Sequence, residues 1–247
     1  MVFAASAQLS VAFLKHLSRK KATLSREIVS QINVADLRKD YSAKGINDTE
    51  EVLCSGPMAF FKQWFEEALA VKILEPNAMS LATCENNIPT CRVVLMKGFD
   101  DEGFVWFTNY NSRKGHQLAA NPVAALTFWW AELERSVRIE GTVQKVSDAE
   151  SDAYFNSRPR GSQIGAWSSN QSCVINSRAE LDEHEHQVRM RFSDPSVPVP
   201  RPPHWGGFRL IPTKIEFWKG RSSRMHDRLV FERDSDFSEW ERIRLQP

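Results

Sequence analysis

The sequence lacks several patterns that mark well-known functional classes. Its four cysteines, Cys54, Cys84, Cys91 and Cys173, form no C-x-x-C pair and show no zinc-ligand spacing. We therefore expect reduced thiols and no metal site. No apolar run reaches the roughly 20 residues of a membrane-spanning helix, so no membrane association is predicted. Neither G-x-G-x-x-G nor G-x-x-x-x-G-K-[ST] occurs, which argues against a Rossmann or P-loop nucleotide site.

An excess of charge of either sign is also missing. Lys and Arg number 32 against 31 Asp and Glu, whereas a nucleic-acid-binding protein usually shows a basic excess. The N-terminus departs from this balance, because residues 1–26 contain no acidic residue and several basic ones. This composition is typical of an organelle transit peptide, and a disordered tail is the alternative. We predict an N-terminal extension over residues 1–45 and a cytoplasmic protein, with a mitochondrial location as the alternative.

From residue 46 onwards, strand-like segments outnumber helical ones. "AMSLATC", "TCRVVLMKGF" and "FVWFTN" predict a three-stranded antiparallel meander, "VAALTFWW" and "RSVRIEGTVQKV" a hairpin, and "GGFRLIPTKIEFWKG", "RMHDRLVFER" and "WERIRL" three final strands. Pro57 with "MAFFKQWFEEALAV" predicts an amphipathic helix. Three further helices are expected to begin at the N-caps Ser112, Ser147 and Ser177. The pattern indicates a mainly β fold, an antiparallel barrel or sandwich with flanking helices.

The first candidate anion site lies at the predicted start of the helix after Ser112. Arg113 and Lys114 follow this N-cap directly. A helix N-terminus carries the positive end of the helix dipole, so cations there do not stabilise the helix. A bound phosphate would explain them, since unpaired N–H groups at the same end also attract anions. Two solvated surface charges are the alternative.

Two more segments combine cationic and hydroxyl-bearing side chains. Tyr154 and Arg158 are four residues apart on a predicted helix, and Ser162 follows the break at Pro159. Together they could hold a phosphomonoester, with the arginine making a bidentate contact. In "RMHDRLVFER", the alternation of a predicted strand would place Arg224, His226 and Arg228 on one face. A solvated helix end and an exposed hairpin with ion pairs are the alternatives.

Several long motifs resemble the pyridoxine (pyridoxamine) 5′-phosphate oxidase family. They are "RVVLMKGFDDEGFVWFTNYNSRKGHQL", "YFNSRPRGSQIGAW", "NQSCVI", "WGGFRLIPTKIEFWKG" and "RMHDRLVFER", and the resemblance runs from about residue 57 to residue 247. It implies an FMN-binding split β-barrel over residues 46–247, with a C-terminal dimerisation segment from about residue 200. It also implies a homodimer with two FMN molecules at the subunit interface.

The resemblance implies a role for each candidate residue. The FMN site would contain Arg92, Val93, Val94, Leu95, Phe107 and Thr108, with Arg113 and Lys114 on the FMN phosphate. The partner subunit would complete it with Gln171, Ser172, Trp218 and Arg228. The substrate phosphate would bind to Lys97, Tyr154, Arg158 and Ser162. Arg224 and His226, with Met225 between them, would close over the pyridine ring and act as the catalytic pair.

The implied reaction oxidises pyridoxine 5′-phosphate or pyridoxamine 5′-phosphate to pyridoxal 5′-phosphate. A hydride equivalent would pass from the substrate C4′ carbon to the flavin, and O2 would reoxidise the flavin and yield H2O2. The amine substrate would also release NH3. One departure favours an alternative, because Ser136 stands where the family has a glutamine that contacts the flavin. The alternatives are a non-catalytic or weakly active protein that binds FMN or pyridoxal phosphate, and a flavin reductase that uses a nicotinamide cofactor.

Overall fold

The computed structural model describes residues 37, 40, 41, 45, 46, 56–235 and 238–247. Every helix and strand described here belongs to the unit Tyr41–Pro247. The predicted N-terminal extension lies almost entirely outside the described residues, so its boundary and its targeting role stay predictions. Within the described part of the chain, no helix is long and apolar enough to cross a membrane.

Within the described residues, nine antiparallel strands form one sheet. They are β1 (Ala78–Glu85), β2 (Ile88–Leu95), β3 (Gly98–Asp100), β4 (Gly103–Asn109), β5 (Val123–Trp130), β6 (Arg135–Lys145), β7 (Trp205–Lys219), β8 (Asp227–Glu232) and β9 (Glu241–Leu245). Their order is β2-β1-β5-β6-β7-β4-β3, and β8 pairs with both β7 and β9. The predicted mainly β class is confirmed.

The long strand β7 gives this sheet its split shape. One edge of β7 pairs with β6 along most of its length. The other edge pairs with β4 over Trp205–Leu210 and then with β8 over Lys214–Lys219. A register shift between Glu140 and Gly141 of β6 lies beside this change of partner, and such irregularities bend and twist a sheet locally. The result is a split barrel in which two sets of strands diverge from β7.

Five α-helices flank the sheet within the described residues. They are α1 (Gly56–Ala70), α2 (Arg113–Ala120), α3 (Asp148–Ser157), α4 (Arg160–Ser168) and α5 (Arg178–Arg191). The predicted N-caps of α2, α3 and α5 are confirmed: the hydroxyls of Ser112, Ser147 and Ser177 each accept a hydrogen bond from the backbone N–H three residues later.

Helix α1 packs against the barrel with the apolar face that its sequence predicts. Phe60, Phe61, Trp64 and Ala68 are buried, while Phe65 is half-buried. The ring of Phe61 lies 4.8 Å from that of Phe104 on β4 and 5.3 Å from that of Phe128 on β5. Burying one such side chain stabilises the fold by about 1.5–3 kcal/mol, so α1 holds the two sides of the barrel together.

Two local predictions are wrong. Strand β2 pairs with β1 but with neither β3 nor β4 among the described strands, so there is no meander; the second edge of β1 pairs with β5 instead. The strand predicted to contain Arg224 and His226 begins only at Asp227, because Ser222–Arg224 forms a 3-10 turn in which Ser223 and Arg224 have positive φ angles. The prediction that Pro159 ends α3 is confirmed, and a helix that was not predicted, α4, starts directly after it.

Candidate active site

A cavity of about 700 Å³ opens beside β2, β4, α3 and α4. Twelve of the residues proposed from the sequence line it together. They are Arg92, Val93, Val94, Leu95, Lys97, Phe107, Thr108, Lys114, Tyr154, Arg158, Ser162 and Gln171. Residues from distant parts of the sequence therefore meet in one place, although most of the individual segments also had a simple surface interpretation.

Among the residues that the structure describes, neutral oxygen atoms hold the guanidinium of Arg92. Its Nη1 donates to the Leu81 carbonyl at 3.0 Å and to Thr83 Oγ1 at 2.7 Å. Its Nη2 donates to Thr90 Oγ1 at 2.5 Å and to Gln117 Oε1 at 3.3 Å. Burial lowers the pKa of Arg92 below its usual value, and the positive charge of Arg113 acts in the same direction. No carboxylate in the described residues pairs with Arg92.

Lys114 is buried in the wall of the same cavity and also lacks a carboxylate partner within the described ranges. Its Nζ donates to Thr108 Oγ1 at 2.8 Å, to Gln171 Oε1 at 2.7 Å and to Ser112 Oγ at 3.3 Å. Burial, with a smaller effect of the Arg92 charge, lowers the pKa of Lys114 to about 8. A buried charge without a counter-ion is costly, so this pair of cations is suited to an anion in the cavity.

Aromatic rings and a second arginine form another part of the wall. Phe107 stacks on Tyr154 with 4.0 Å between ring centroids, and both rings lie nearly parallel to that of Trp205. The guanidinium of Arg158 lies 4.7 Å from the Trp205 ring centroid. Its Nη1 atom is buried without a hydrogen-bond partner in the described structure, and burial lowers its pKa. Lys97 and Ser162 line the same cavity and are exposed.

A second, separate cavity of about 520 Å³ contains three more of the residues highlighted by the sequence: Ser136, Trp218 and Arg228. The register of the sheet aligns them, because Ser136 on β6 pairs with Trp218 on β7, which pairs with Arg228 on β8. Glu216 is 5% exposed and accepts two hydrogen bonds from Arg228, at 2.6 and 3.1 Å. This contact raises the pKa of Arg228.

The loop before β8 lies beside this second cavity but does not line it. Arg224 and Met225 are exposed, whereas His226 is half-buried with its ring centroid 4.7 Å from that of Trp218. Tyr41 packs edge-on against both Trp218 and His226. The two residues predicted to be catalytic therefore both belong to this loop and do not share one strand face.

Two further candidates lie away from both cavity walls. Arg113 is exposed and does not line the first cavity, although its charge affects Arg92. Ser172 is exposed and has a positive φ of 74°. Gln171, which was expected to act from a partner subunit, bonds to Lys114 of the same chain.

Comparison with known proteins identifies the family. A family model described as "Pyridoxamine 5′-phosphate oxidase" matches residues 65–192. A second family model, described as "Pyridoxine 5′-phosphate oxidase C-terminal dimerisation region", matches residues 205–247. The pyridoxine/pyridoxamine 5′-phosphate oxidase of a Nostoc species is 54% identical over 215 residues, which are 87% of this chain and 98% of that protein. The chain belongs to the pyridoxine/pyridoxamine 5′-phosphate oxidase family.

Other relatives agree with membership of this oxidase family. The enzyme of the same name from Burkholderia lata is 55% identical over 216 residues, or 87% of this chain and 99% of that protein. The crystal structure of PhzG from Burkholderia lata, in complex with tetrahydrophenazine-1-carboxylic acid, has a TM-score of 0.74 and 29% identity, covering 83% of this chain and all of PhzG. An FMN-binding protein from Nostoc punctiforme shares the fold, with a TM-score of 0.60 and 16% identity over 78% of this chain and 98% of that protein.

Membership of the oxidase family settles several of the predictions. The split-barrel fold, the oxidoreductase class and FMN as the cofactor are confirmed. The match to the dimerisation region supports a homodimer. The matched relatives are bacterial enzymes and give no support to a mitochondrial location; a cytoplasmic location stays a prediction.

The first cavity fits the chemical character of FMN. Its two cations, the buried Lys114 and the half-buried Arg92, have only neutral partners in the part of the chain described, which suits a phosphate. The stacked rings of Phe107 and Tyr154 supply flat apolar surface beside them. FMN carries one phosphate and one planar ring system, so the residues present match both parts of the cofactor.

Sequence reasoning missed several residues at these sites. Gln117 accepts a hydrogen bond from Arg92, and Trp205 carries the Arg158 guanidinium on its ring. Asp227 accepts the backbone N–H of Ile46 at 2.8 Å and so fixes a segment of chain near Tyr41. Gly220 allows the Tyr41 ring to lie close to the backbone, because a Cβ at position 220 would be only 2.7 Å from Tyr41 Cγ. No local pattern reveals these contacts, since each joins residues from distant parts of the sequence.

Proposed function

We propose that this protein oxidises pyridoxine 5′-phosphate and pyridoxamine 5′-phosphate to pyridoxal 5′-phosphate, with O2 as electron acceptor. The products would include H2O2, and NH3 from the amine. The observation that carries this proposal is a single cavity with two separate sets of positive charge. One set is Arg92 with Lys114, the other is Arg158, and no described carboxylate neutralises either. Relatives that share 54–55% of their residues with this chain carry the corresponding name.

Each set would bind one phosphate. Arg92 and Lys114, aided by Thr108 and the nearby charge of Arg113, would bind the FMN phosphate. Arg158, with its unpartnered Nη1, would bind the substrate phosphate together with Lys97, Tyr154 and Ser162. Each hydrogen bond from a charged donor contributes about 1.5–3 kcal/mol, so two phosphates would fix both molecules in a defined orientation.

The chain's own part in the reaction would be to bind, orient and polarise. Bound FMN supplies the two-electron redox chemistry and the reactivity towards O2. Arg224 and His226 would approach the pyridine ring, where a guanidinium and an imidazole can donate hydrogen bonds to its polar substituents. Holding the reacting groups in place accounts for much of the rate enhancement expected of such a site.

The complete site would form between two subunits. Trp218 and Arg228 line a different cavity from Arg92 and Lys114, and the two cavities share no lining residue. A two-fold dimer could bring the first cavity of one subunit against the second cavity of its partner, with FMN between them. The match to a dimerisation region over residues 205–247, which include Trp218 and Arg228, supports this arrangement.

Anaerobic bleaching tests the proposed function directly. The purified protein is expected to be yellow, and pyridoxine 5′-phosphate or pyridoxamine 5′-phosphate should bleach its flavin absorbance without O2. Admitting air should restore the colour and release H2O2. A protein that cannot be loaded with FMN, or a flavin that neither vitamer reduces, would contradict the proposal.

A binding protein without turnover is the second candidate. Ser136 favours it, because this short hydroxyl lines the second cavity where the family has a longer glutamine. Such a protein would hold FMN and stay yellow after either vitamer is added without O2. Ser136→Gln would then raise its FMN affinity and produce H2O2 release, whereas in an active oxidase the same change should alter turnover only modestly.

A further inference from the structure

Gln117 does not line the first cavity but contacts Arg92, which does. It is 3% exposed and sits on α2, one helical turn after Arg113. Its Oε1 atom accepts hydrogen bonds from Thr83 Oγ1 at 2.7 Å and Thr90 Oγ1 at 2.8 Å, and from Arg92 Nη2 at 3.3 Å. Gln117 thus connects α2 with β1 and β2 at the point where Arg92 projects.

The chemical type of this acceptor decides the net charge of the site. Arginines that are withdrawn from water, even in part as Arg92 is, are usually paired with carboxylates, which hold the guanidinium and cancel its charge. Here a carboxamide, two hydroxyls and one backbone carbonyl hold Arg92 instead. Neutral acceptors fix the direction of the guanidinium while its positive charge remains available to a ligand.

Lys114 is also held by neutral acceptors, through contacts that do not involve Gln117. Its three acceptors, on Thr108, Ser112 and Gln171, are all neutral. Burial lowers the pKa of Lys114 to about 8, and repulsion from the positive charge of Arg92 acts in the same direction with a smaller effect. A single carboxylate beside Arg92 and Lys114 would reduce the repulsion between their charges. It would also weaken the electrostatic attraction of an anion to the site.

We propose that Gln117 is a positioning residue that orients Arg92 and, through its neutrality, preserves the charge with which the site recognises a phosphate monoester. This inference rests on the proposed role of Arg92 and Lys114 in holding the FMN phosphate. Gln117 itself does not line the cavity, so its effect on the ligand passes through Arg92.

Gln117→Glu changes the charge at nearly constant shape. The new carboxylate would pair with Arg92, so the flavin-free protein should keep its thermal stability. Loss of one charged hydrogen bond to phosphate should weaken FMN binding by roughly 10- to 100-fold. Riboflavin, which has the same ring system without the phosphate, should bind as it does to the unchanged protein. Ala119→Glu adds the same charge on the exposed side of α2 and should leave both affinities unchanged.

The readouts are the dissociation constants of FMN and riboflavin by fluorescence quenching, and the thermal midpoint of the flavin-free full chain. A fall in FMN affinity alone supports the proposal. Unchanged FMN affinity, or an equal loss of both affinities with a lower midpoint, overturns it, because the latter is what a purely structural role produces. If Gln117→Glu does not fold, Gln117→Met removes the acceptor without a buried carboxylate and should weaken FMN binding several-fold with riboflavin unchanged.

Arg92→Met separates this inference from the proposed site. If Arg92→Met loses FMN affinity while Gln117→Glu retains it, the role of Gln117 is wrong and the site stands. If Arg92→Met binds FMN as tightly as the unchanged chain, the proposed phosphate site is wrong, and the inference falls with it.

Discussion

At the scale of single residues, Lys114 couples the site to pH. Its pKa of about 8 in the flavin-free protein lies below the usual value of 10.5. The protonated amine is the form that attracts a phosphate dianion, and the second phosphate pKa of about 6 keeps the ligand doubly charged above neutrality. Below pH 8 the amine is already protonated, whereas above pH 8 binding requires the uptake of one proton.

FMN affinity is therefore expected to fall as pH rises above about 8, approaching tenfold per pH unit for a single coupled proton. Dissociation constants measured between pH 6.5 and 9.5 would check this. Lys114→Arg keeps the positive charge at high pH and should remove most of the dependence. An equally steep decline in that variant would assign the titration to another group.

Arg158 should affect the substrate and not the flavin. Arg158→Leu removes a half-buried guanidinium whose buried Nη1 atom has no partner in the described residues, and it keeps an apolar contact with Trp205. Because a charged hydrogen bond to a phosphate contributes about 1.5–3 kcal/mol, KM for the phosphorylated vitamers should rise by roughly 10- to 100-fold. Steady-state kinetics and an FMN titration on the same preparation provide the measurement. A protein with lower FMN affinity and unchanged KM would reverse the assigned roles.

At the scale of elements, the start of α2 links helix stability to ligand binding. Ser112 is fully buried, caps α2, and its Oγ also accepts a hydrogen bond from Lys114 Nζ. Ser112→Ala should cost about 1 kcal/mol of unfolding free energy as the loss of an N-cap. It should also weaken FMN binding, since Lys114 loses one of the groups that orient it.

Ser177→Ala is the matched control for that prediction. Ser177 caps the exposed helix α5 through the same contact, to Glu180 N, and touches neither cavity. Denaturant unfolding should show a comparable stability loss in both variants, with FMN affinity reduced only in Ser112→Ala. Equal FMN affinity in the two variants would mean that the cap has no role in orienting Lys114.

Sequence reasoning succeeds for elements whose cause is local. The caps at Ser112, Ser147 and Ser177 depend on contacts only three residues away, so the sequence predicts all three. Pro159 was interpreted only as a helix breaker, yet proline also suits the start of a helix because its φ is already near the helical value. The positive φ angles at Ser223 and Arg224 leave no trace in an alternation of polar and apolar residues.

At the scale of the whole molecule, the features that the sequence did not predict have a common cause. The meander was predicted because β1, β2 and β4 follow one another, but β1 pairs with β5, and β4 with β7. Such pairings depend on how the barrel closes, which no short segment encodes. The cavity was predictable only through the family resemblance, because Arg92 is on β2, Lys114 is on α2 and Arg158 lies between α3 and α4. Lys114 and Arg158 each also had an ordinary surface interpretation, and Arg92 was singled out by the resemblance alone.

The division of the proposed site between two cavities makes a prediction about heterodimers. Lys114→Ala removes a cation from the first cavity, and Trp218→Ala removes a ring from the second. If each FMN lies between the first cavity of one subunit and the second of its partner, homodimers of either variant have two damaged sites. A two-fold heterodimer of both variants has one intact site and one doubly damaged site.

Co-expression of the two variants with different affinity tags, followed by purification through both tags, isolates that heterodimer. It should bind about half as much FMN per chain as the unchanged dimer and recover a similar share of its activity, because a C2 dimer has two equivalent interface sites. Each homodimer, purified alongside, should be strongly impaired in both respects. A heterodimer no better than its parents would locate Lys114 and Trp218 in the same subunit's site, and FMN would then be bound within one chain.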